Sequence, residues 1–185
     1  FDTSLSTINS NYTADNKVEG SAPRNASATS EQIGRMGKGY YEMKLISSSG
    51  YSMLGLQVGT NTGGYVQNTG AFVYQSNGEL YNNDEGSGVY GTGASSYTTN
   101  DIIMVAYDTA ASSNGQVWFG KNGTWGRNPA SQGGFDFLVD ASTAGVRPAV
   151  TYASGSAGAH TVVQVEIISH TQGAQYTIPT GWSLA

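Results

Sequence analysis

Cleavage of a glycosidic bond needs two carboxylates about 5–10 Å apart across a groove, so acids at alternate positions of one strand are the first pattern of interest. Glu42 alternates with Tyr40 and Lys44 instead of a second acid, and Asp84 and Glu85 are adjacent, so an extended chain sends them to opposite faces. The two histidines, His160 and His170, do not form the spaced pair of a zinc site, which needs three or four protein ligands. No nucleophile-elbow pattern accompanies them, and exposed strand ends account for both. Asn82, Asn83, Asp84 and Glu85 carry the oxygen donors that a hard cation such as calcium takes; a polar turn accounts for the same residues without an ion. The expectation is a chain that is not an enzyme, with no catalytic set, no metal and no cofactor.

Aromatic and amide residues in Gly-, Asn- and Thr-rich stretches offer a different chemistry. The candidate ligand contacts are Tyr65, Gln67, Asn68, Tyr90, Tyr97, Trp125 and Arg127. A flat ring beside amides and hydroxyls suits a sugar, which has apolar C–H faces and polar edges. The same mix suits a protein epitope, because Tyr and Trp give large contact area at low entropic cost. Arg127 adds a planar five-donor fork, whereas Arg147 lies within a strand and either pairs with an acid or faces solvent. The structural alternative is that these rings close the ends of a core, Trp125 filling a core edge.

Those residues need a scaffold, and composition limits which. The 185 residues, with 38% hydrophobic side chains, can bury a core in one domain. Charged residues are 11%, against ~25% in an average globular chain, so the surface is built from Tyr, Asn, Gln, Ser, Thr and Gly. The net charge of −5 and the lack of a Lys/Arg cluster exclude phosphate-backbone binding, and hence nucleic acid. The longest apolar run, from Ile102 to Ala106, is far too short to span a bilayer. There is no cysteine and so no disulfide. No basic stretch followed by an apolar one opens the sequence, so no secretory leader is read there. The opening Phe1 fits a processed product or a part of a longer chain.

Strands are written in alternation. In Gly39 to Ile46, Tyr41, Met43 and Leu45 share one face while Tyr40, Glu42 and Lys44 share the other. Leu54, Leu56 and Val58 fall together, as do Val163, Val165 and Ile167, with Gln164 and Glu166 outward. Ala71 to Tyr74 turns at Asn77-Gly78 toward Glu79 to Tyr81. Ile102 to Tyr107 is apolar on both faces, the mark of a central strand covered on both sides. Gln116 to Lys121 sets Val117 and Phe119 against Gln116 and Trp118 and then turns at Asn122-Gly123. No long helical stripe occurs; Ser30 to Met36 and Phe135 to Ala141 are each read as a single turn. The long connections are Asn61 to Gly70, Asn82 to Asn100, Thr124 to Gly134 and Ala153 to His160, and loops of this length are where function concentrates. The fold class is all-β, a two-sheet antiparallel sandwich with few or no helices.

Several of these segments, in order, resemble the SPRY domain family over Gly37 to Trp182. Gly37-Lys38-Gly39-Tyr40-Tyr41-Glu42 is similar to its opening strand and Gly55-Leu56-Gln57-Val58-Gly59 to its second. Asp101 to Asp108 resembles its Asp-Val-Ile-Gly-Val-x-x-Asp strand, with Met104 where the family often has glycine. Gly115 to Phe119 followed by Lys121-Asn122-Gly123 resembles its strand-and-turn signature, and Val146 to Val150 its Pro-Ala-Val strand. Asn122-Gly123-Thr124-Trp125-Gly126 with Pro129-Ala130, and the closing Ile178-Pro179-Thr180-Gly181-Trp182, are similar to the version in bacteriophage and other viral structural proteins.

The resemblance implies a bent, concanavalin-like (jelly-roll) β-sandwich over residues 1–185 as one domain, with residues 1–36 supplying N-terminal strands that pack on the 37–182 core. It implies binding through variable loops instead of catalysis, and carries over no ligand residue. The expected function is a recognition domain of a phage virion, in a tail fibre, tail tip or capsid decoration, exposed on the particle and binding a host-surface glycan or protein. Two further classes stay open. One is a structural domain docking on other virion proteins, with homo-oligomerisation on the particle; the other is a polysaccharide-cleaving enzyme.

Overall fold

The computed structural model describes residues 10–12, 17–22, 26–29, 37–59, 70–82, 89–92, 95–137, 141–153, 161–168 and 173–185. In chain order the strands are β1 (Ser10–Tyr12), β2 (Lys17–Ala22), β3 (Ala26–Thr29), β4 (Lys38–Ser48), β5 (Tyr51–Val58), β6 (Ala71–Gln75), β7 (Glu79–Asn82), β8 (Val89–Thr92), β9 (Ile102–Asp108), β10 (Gln116–Lys121), β11 (Thr124–Trp125) and β12 (Phe135–Asp136). The one-turn helix α1 (Ala141–Ala144) follows, then β13 (Val146–Ala153), β14 (Thr161–Ile168) and β15 (Ser183–Leu184).

Two sheets form. The first runs β1-β2-β14-β4-β9-β10-β11, with β12 also on β10 and β15 also on β4; the second runs β3-β13-β5-β6-β7-β8. The pairings are antiparallel except that of β15, which lies parallel to the start of β4, Ser183 beside Gly39 and Leu184 beside Tyr40. That edge is open because β14 pairs with the other end of β4, from Glu42 to Ser48.

The alternation read from the sequence sorts side chains as expected. Tyr41, Met43 and Leu45 of β4, Leu54, Leu56 and Val58 of β5, and Val163, Val165 and Ile167 of β14 all enter the core between the sheets. Each fully buried apolar side chain of this size contributes about 1.5–3 kcal/mol. Strand β9 is covered on both sides: Ile103, Val105 and Tyr107 face that core, while Met104 and Ala106 belong to a second apolar cluster on the outer face of the first sheet. Within the second sheet β5 and β6 run close together at Gly55, where a Cβ would lie 2.8 Å from the Cα of its cross-strand partner Val73.

Three readings of the connections change. Phe135 to Ala141 is not a helical turn: Phe135 and Asp136 pair with Val117 and Gln116 as β12, and the helix begins only at Ala141. The stretch from Asn82 to Asn100 contains β8, which pairs with β7. The stretch from Thr124 to Gly134 opens on β11, which pairs with β10. Ser30 to Met36 lies outside the described residues.

Candidate functional site

The outer face of the first sheet is where one end of the molecule acquires a cavity. Cross-strand register places Glu42, Met104, Gly120 and Trp125 in one row across β4, β9, β10 and β11, and Tyr40, Ala106 and Trp118 in the next. Gly120 carries no side chain, so the Trp125 ring leans over it: a Cβ there would meet Trp125 Cε3 at 3.1 Å. Leaning in this way, Trp125 packs against Tyr40 with ring centroids 6.1 Å apart.

A segment from residue 173 to 185, the strap, crosses this face. Ala174, Tyr176, Ile178, Trp182 and Leu184 pack on the cluster of Tyr40, Met104, Ala106 and Trp118. A wholly buried carboxylate holds the strap down. Glu42 accepts from the Gln175 N–H at 2.8 Å, from the Tyr176 N–H at 2.9 Å and from the Tyr40 hydroxyl at 2.6 Å. Burial pushes the Tyr40 phenol well above its ordinary range, and the bond to Glu42 and its charge push it further. Further along, the Trp182 indole N–H donates to the Tyr107 carbonyl at 3.2 Å, its ring meets Trp118 edge-on at 5.6 Å, and the Ala185 N–H donates to the Tyr40 carbonyl. The turn between them bonds the Trp182 N–H to the Pro179 carbonyl, with Gly181 at φ +91°, as a type II turn requires at its third residue.

The facing wall is the β10–β11 hairpin and the loop after it. Asn122 and Gly123 both have positive φ, 48° and 84°, the two-residue turn that matches strand twist. The Asn122 side chain ties this turn to β9: its Oδ1 accepts from the Ile102 N–H at 2.8 Å and its Nδ2 donates to Asp101 at 2.5 Å. The loop beyond folds on Asn128, whose Oδ1 accepts from the Ala130 N–H, whose N–H donates to Gln132 Oε1, and whose carbonyl accepts from the Gln132 N–H. The Trp118 indole pins that loop by donating to the Gln132 carbonyl at 2.8 Å.

Between the walls lies a groove of about 370 Å³, lined by Gly123, Trp125, Asn128 and Ala130 on the hairpin side and by residues 176–180 of the strap. Its surface offers the rings of Trp125 and Tyr176, an amide, and the hydroxyls of Thr177 and Thr180. Among the described residues no carboxylate, histidine or lysine lines it. The arrangement can stack on a flat apolar face and hydrogen-bond a polar rim. Both segments that resemble the viral version of the SPRY pattern, Asn122 to Gly126 and Ile178 to Trp182, contribute to its walls.

Of the residues singled out from the sequence, Trp125 lines the groove. Arg127 is exposed beside it but turned away, its guanidinium 4.0 Å from the Phe135 ring centroid. Tyr97 does not reach solvent. It is 5% exposed, its hydroxyl proton is shared between the Ser52 and Tyr74 carbonyls at 2.7 and 2.9 Å, and its ring meets Tyr74 edge-on. Its place is that of a core strut under its loop and not of a ligand contact. Arg147 forms no ion pair among the described residues; it sits half-buried on β13, and its Nε has no hydrogen-bond partner. Tyr65, Gln67 and Asn68 lie outside the described residues, as do Asn83, Asp84, Glu85, His160 and His170, and Tyr90 is described only as backbone of β8. Among the described residues no group of three or more acids and histidines is placed to hold a metal, and no helix is long and apolar enough to cross a membrane.

Sequence reasoning missed Asn128, Tyr176, Thr177 and Thr180 as groove residues and Glu42 as the clamp. A signal was present: Ala174, Tyr176, Ile178, Trp182 and Leu184 all occupy even positions near the end of the chain, an alternation that asks for an apolar surface to lie on.

No protein-family model and no curated protein matches the sequence. Solved structures do match in fold. The SPRY domain of human HERC1 superposes with a TM-score of 0.64 at 16% identity, covering 92% of this chain and 98% of that one. A human SPRY domain gives 0.59 at 18% identity, covering 86% and 94%. A mutant of the alginate lyase Aly36B bound to alginate trisaccharide reaches only 0.41 at 13% identity, covering 91% and 85%, too distant to bear on fold or activity. The chain therefore has the fold of a SPRY domain, an antiparallel two-sheet β-sandwich.

Proposed function

We propose that this chain is a non-enzymatic recognition domain that binds a glycan or a protein through the groove between Trp125 and the strap, on the surface of a phage virion. The observation that carries the reading is the groove itself: two aromatic rings, an amide and two hydroxyls converge on it, and among the described residues no pair of acids does. Cleavage by the usual two-carboxylate route has no described residues there to run on. The virion setting is supported by the two wall-forming segments that resemble the viral version of the SPRY pattern. Display in many copies on a tail fibre, tail tip or capsid raises avidity by roughly 10²–10⁴ over a single weak site.

The test is a multivalent form of the domain presented to host cells, to isolated surface polysaccharide and to surface protein. Retention that disappears in a folded Trp125→Ala variant is the expected result, with no new reducing ends on prolonged incubation with polysaccharide. Absence of retention on every host surface overturns the reading, and sustained turnover of the polysaccharide replaces it with an enzyme. A particle reconstruction in which another virion protein fills the groove replaces it with a docking domain.

A further inference from the structure

The charge pattern around the groove says which ligands fit, given the recognition reading on which this inference rests. None of the nine described residues that line it is charged. Among the described residues, the cations near its walls are engaged elsewhere. Arg127 lies over Phe135 and donates to the Gly134 carbonyl at 3.4 Å. Lys38 lies over the Trp182 ring, 4.4 Å from its centroid. Lys121 donates to the Ser96 carbonyl at 2.7 Å and stands 3.9 Å from Asp101. Behind the strap wall stands the buried carboxylate of Glu42, bonded to the Tyr176 N–H, which opposes an anion at that wall. A uronate, sialate or phosphate entering the groove would lose water and gain no cation from the described residues in return, an unfavourable exchange.

What the groove does offer matches a neutral polyol. Amide and hydroxyl groups donate and accept at once, as vicinal sugar hydroxyls do. The rings of Trp125 and Tyr176 supply faces for axial C–H groups, and Gly123, with no side chain, lies within 3.1 Å of the Tyr176 ring from the position a Cβ would take. The volume of about 370 Å³ is near the lower end of the ~300–1,000 Å³ of small-molecule sites, which suits one or two sugar rings. A peptide added as a strand would need a long free edge, and β11 at this edge is two residues long.

We infer that the groove takes an uncharged saccharide, held by ring stacking and neutral hydrogen bonds, and rejects the same sugars carrying carboxylate or phosphate. The test titrates the isotope-labelled chain with short neutral oligosaccharides of glucose, galactose, mannose and N-acetylglucosamine, and with their uronate, sialate and phosphate counterparts. The Trp125 indole and the Thr177 and Thr180 amides are followed by NMR. The neutral probes are expected to shift these resonances at millimolar concentration, with an affinity that changes less than about twofold between low and high salt. Trp125→Ala lowers it about tenfold or more, and Thr180→Val, an exposed change that leaves the core intact, lowers it severalfold.

Binding of acidic probes alone, or an affinity that collapses with salt, overturns this inference and leaves the recognition function standing. So does a host protein that moves the three resonances when no sugar does. If neither sugars, host polysaccharide nor host protein moves them, both the inference and the proposed function fall.

Discussion

The Tyr40 hydroxyl donates to Glu42 Oε1 across 2.6 Å, and both residues are wholly buried although they lie on the outer face of their sheet. The strap makes this arrangement tolerable. A buried carboxylate is costly unless its oxygens are satisfied, and here Oε1 takes the phenol and the Tyr176 N–H while Oε2 takes the Gln175 N–H. Glu42 is thus part of the groove wall without touching the groove.

Replacing Glu42 by Gln leaves one acceptor oxygen where two are used and turns an amide donor toward a donor. The expected loss is about 2–4 kcal/mol of stability. Urea denaturation measures it, and amide exchange at Gln175 and Tyr176 shows whether the strap loosens before the sandwich does. Unchanged protection at both amides would refute the clamp.

Gly123→Ala puts a methyl group at φ +84° and 3.1 Å from Tyr176 Cδ1. A left-handed residue other than glycine costs about 1–2 kcal/mol, and the methyl also pushes the strap wall outward. A fall in thermal midpoint together with weaker saccharide binding is expected; a fall in midpoint with binding untouched would separate the turn from the groove.

Tyr97 and Tyr41 supply a pH test. Burial raises both phenols above their ordinary value of 10.0. The folded chain therefore keeps these protons at a pH where the unfolded chain has released them. Their contribution is fully present below pH 10.0 and declines as pH rises beyond it. Each phenol adds a slope of about 1.4 kcal/mol per pH unit. Tyr97→Phe also costs about 1–2 kcal/mol near neutrality, because two carbonyls lose their donor. Denaturation curves at neutral and alkaline pH check both effects, and an alkaline slope identical in wild type and Tyr97→Phe would contradict the burial argument.

Arg127→Ala should be mild. The guanidinium over Phe135 is exposed, so its removal costs about 0.5–1 kcal/mol, and neutral saccharides should bind within about twofold of wild type. A large loss of binding would place Arg127 in the ligand site after all and weaken the case for an uncharged ligand.

Long strands were legible because their side chains obey a period of two against a single large core. Tyr41, Met43 and Leu45 on β4 and the doubly apolar β9 are the clearest instances. Elements of two to four residues, such as β8, β11 and β12, carry no periodicity to read, and Phe135 to Ala141 was misassigned for that reason. The groove was half legible. Trp125 announced itself by its place after Asn122-Gly123, but its opposite wall comes from residues 176–180, and nothing local to Trp125 names them. Tyr97 looked like a loop residue and is one, yet its ring turns inward because two backbone carbonyls await its hydroxyl.

The bond from the Tyr176 N–H to Glu42 joins positions 134 apart in the chain. Contacts of such span form slowly, since the entropy of closing the intervening loop must be met first. The groove is therefore complete only once the strap has docked on the hairpin and on β4, segments distant from it in the chain. Until then the faces of Tyr40, Met104 and Trp118 stand open to water, and a chain caught at that stage would stick to its neighbours before it could hold a ligand.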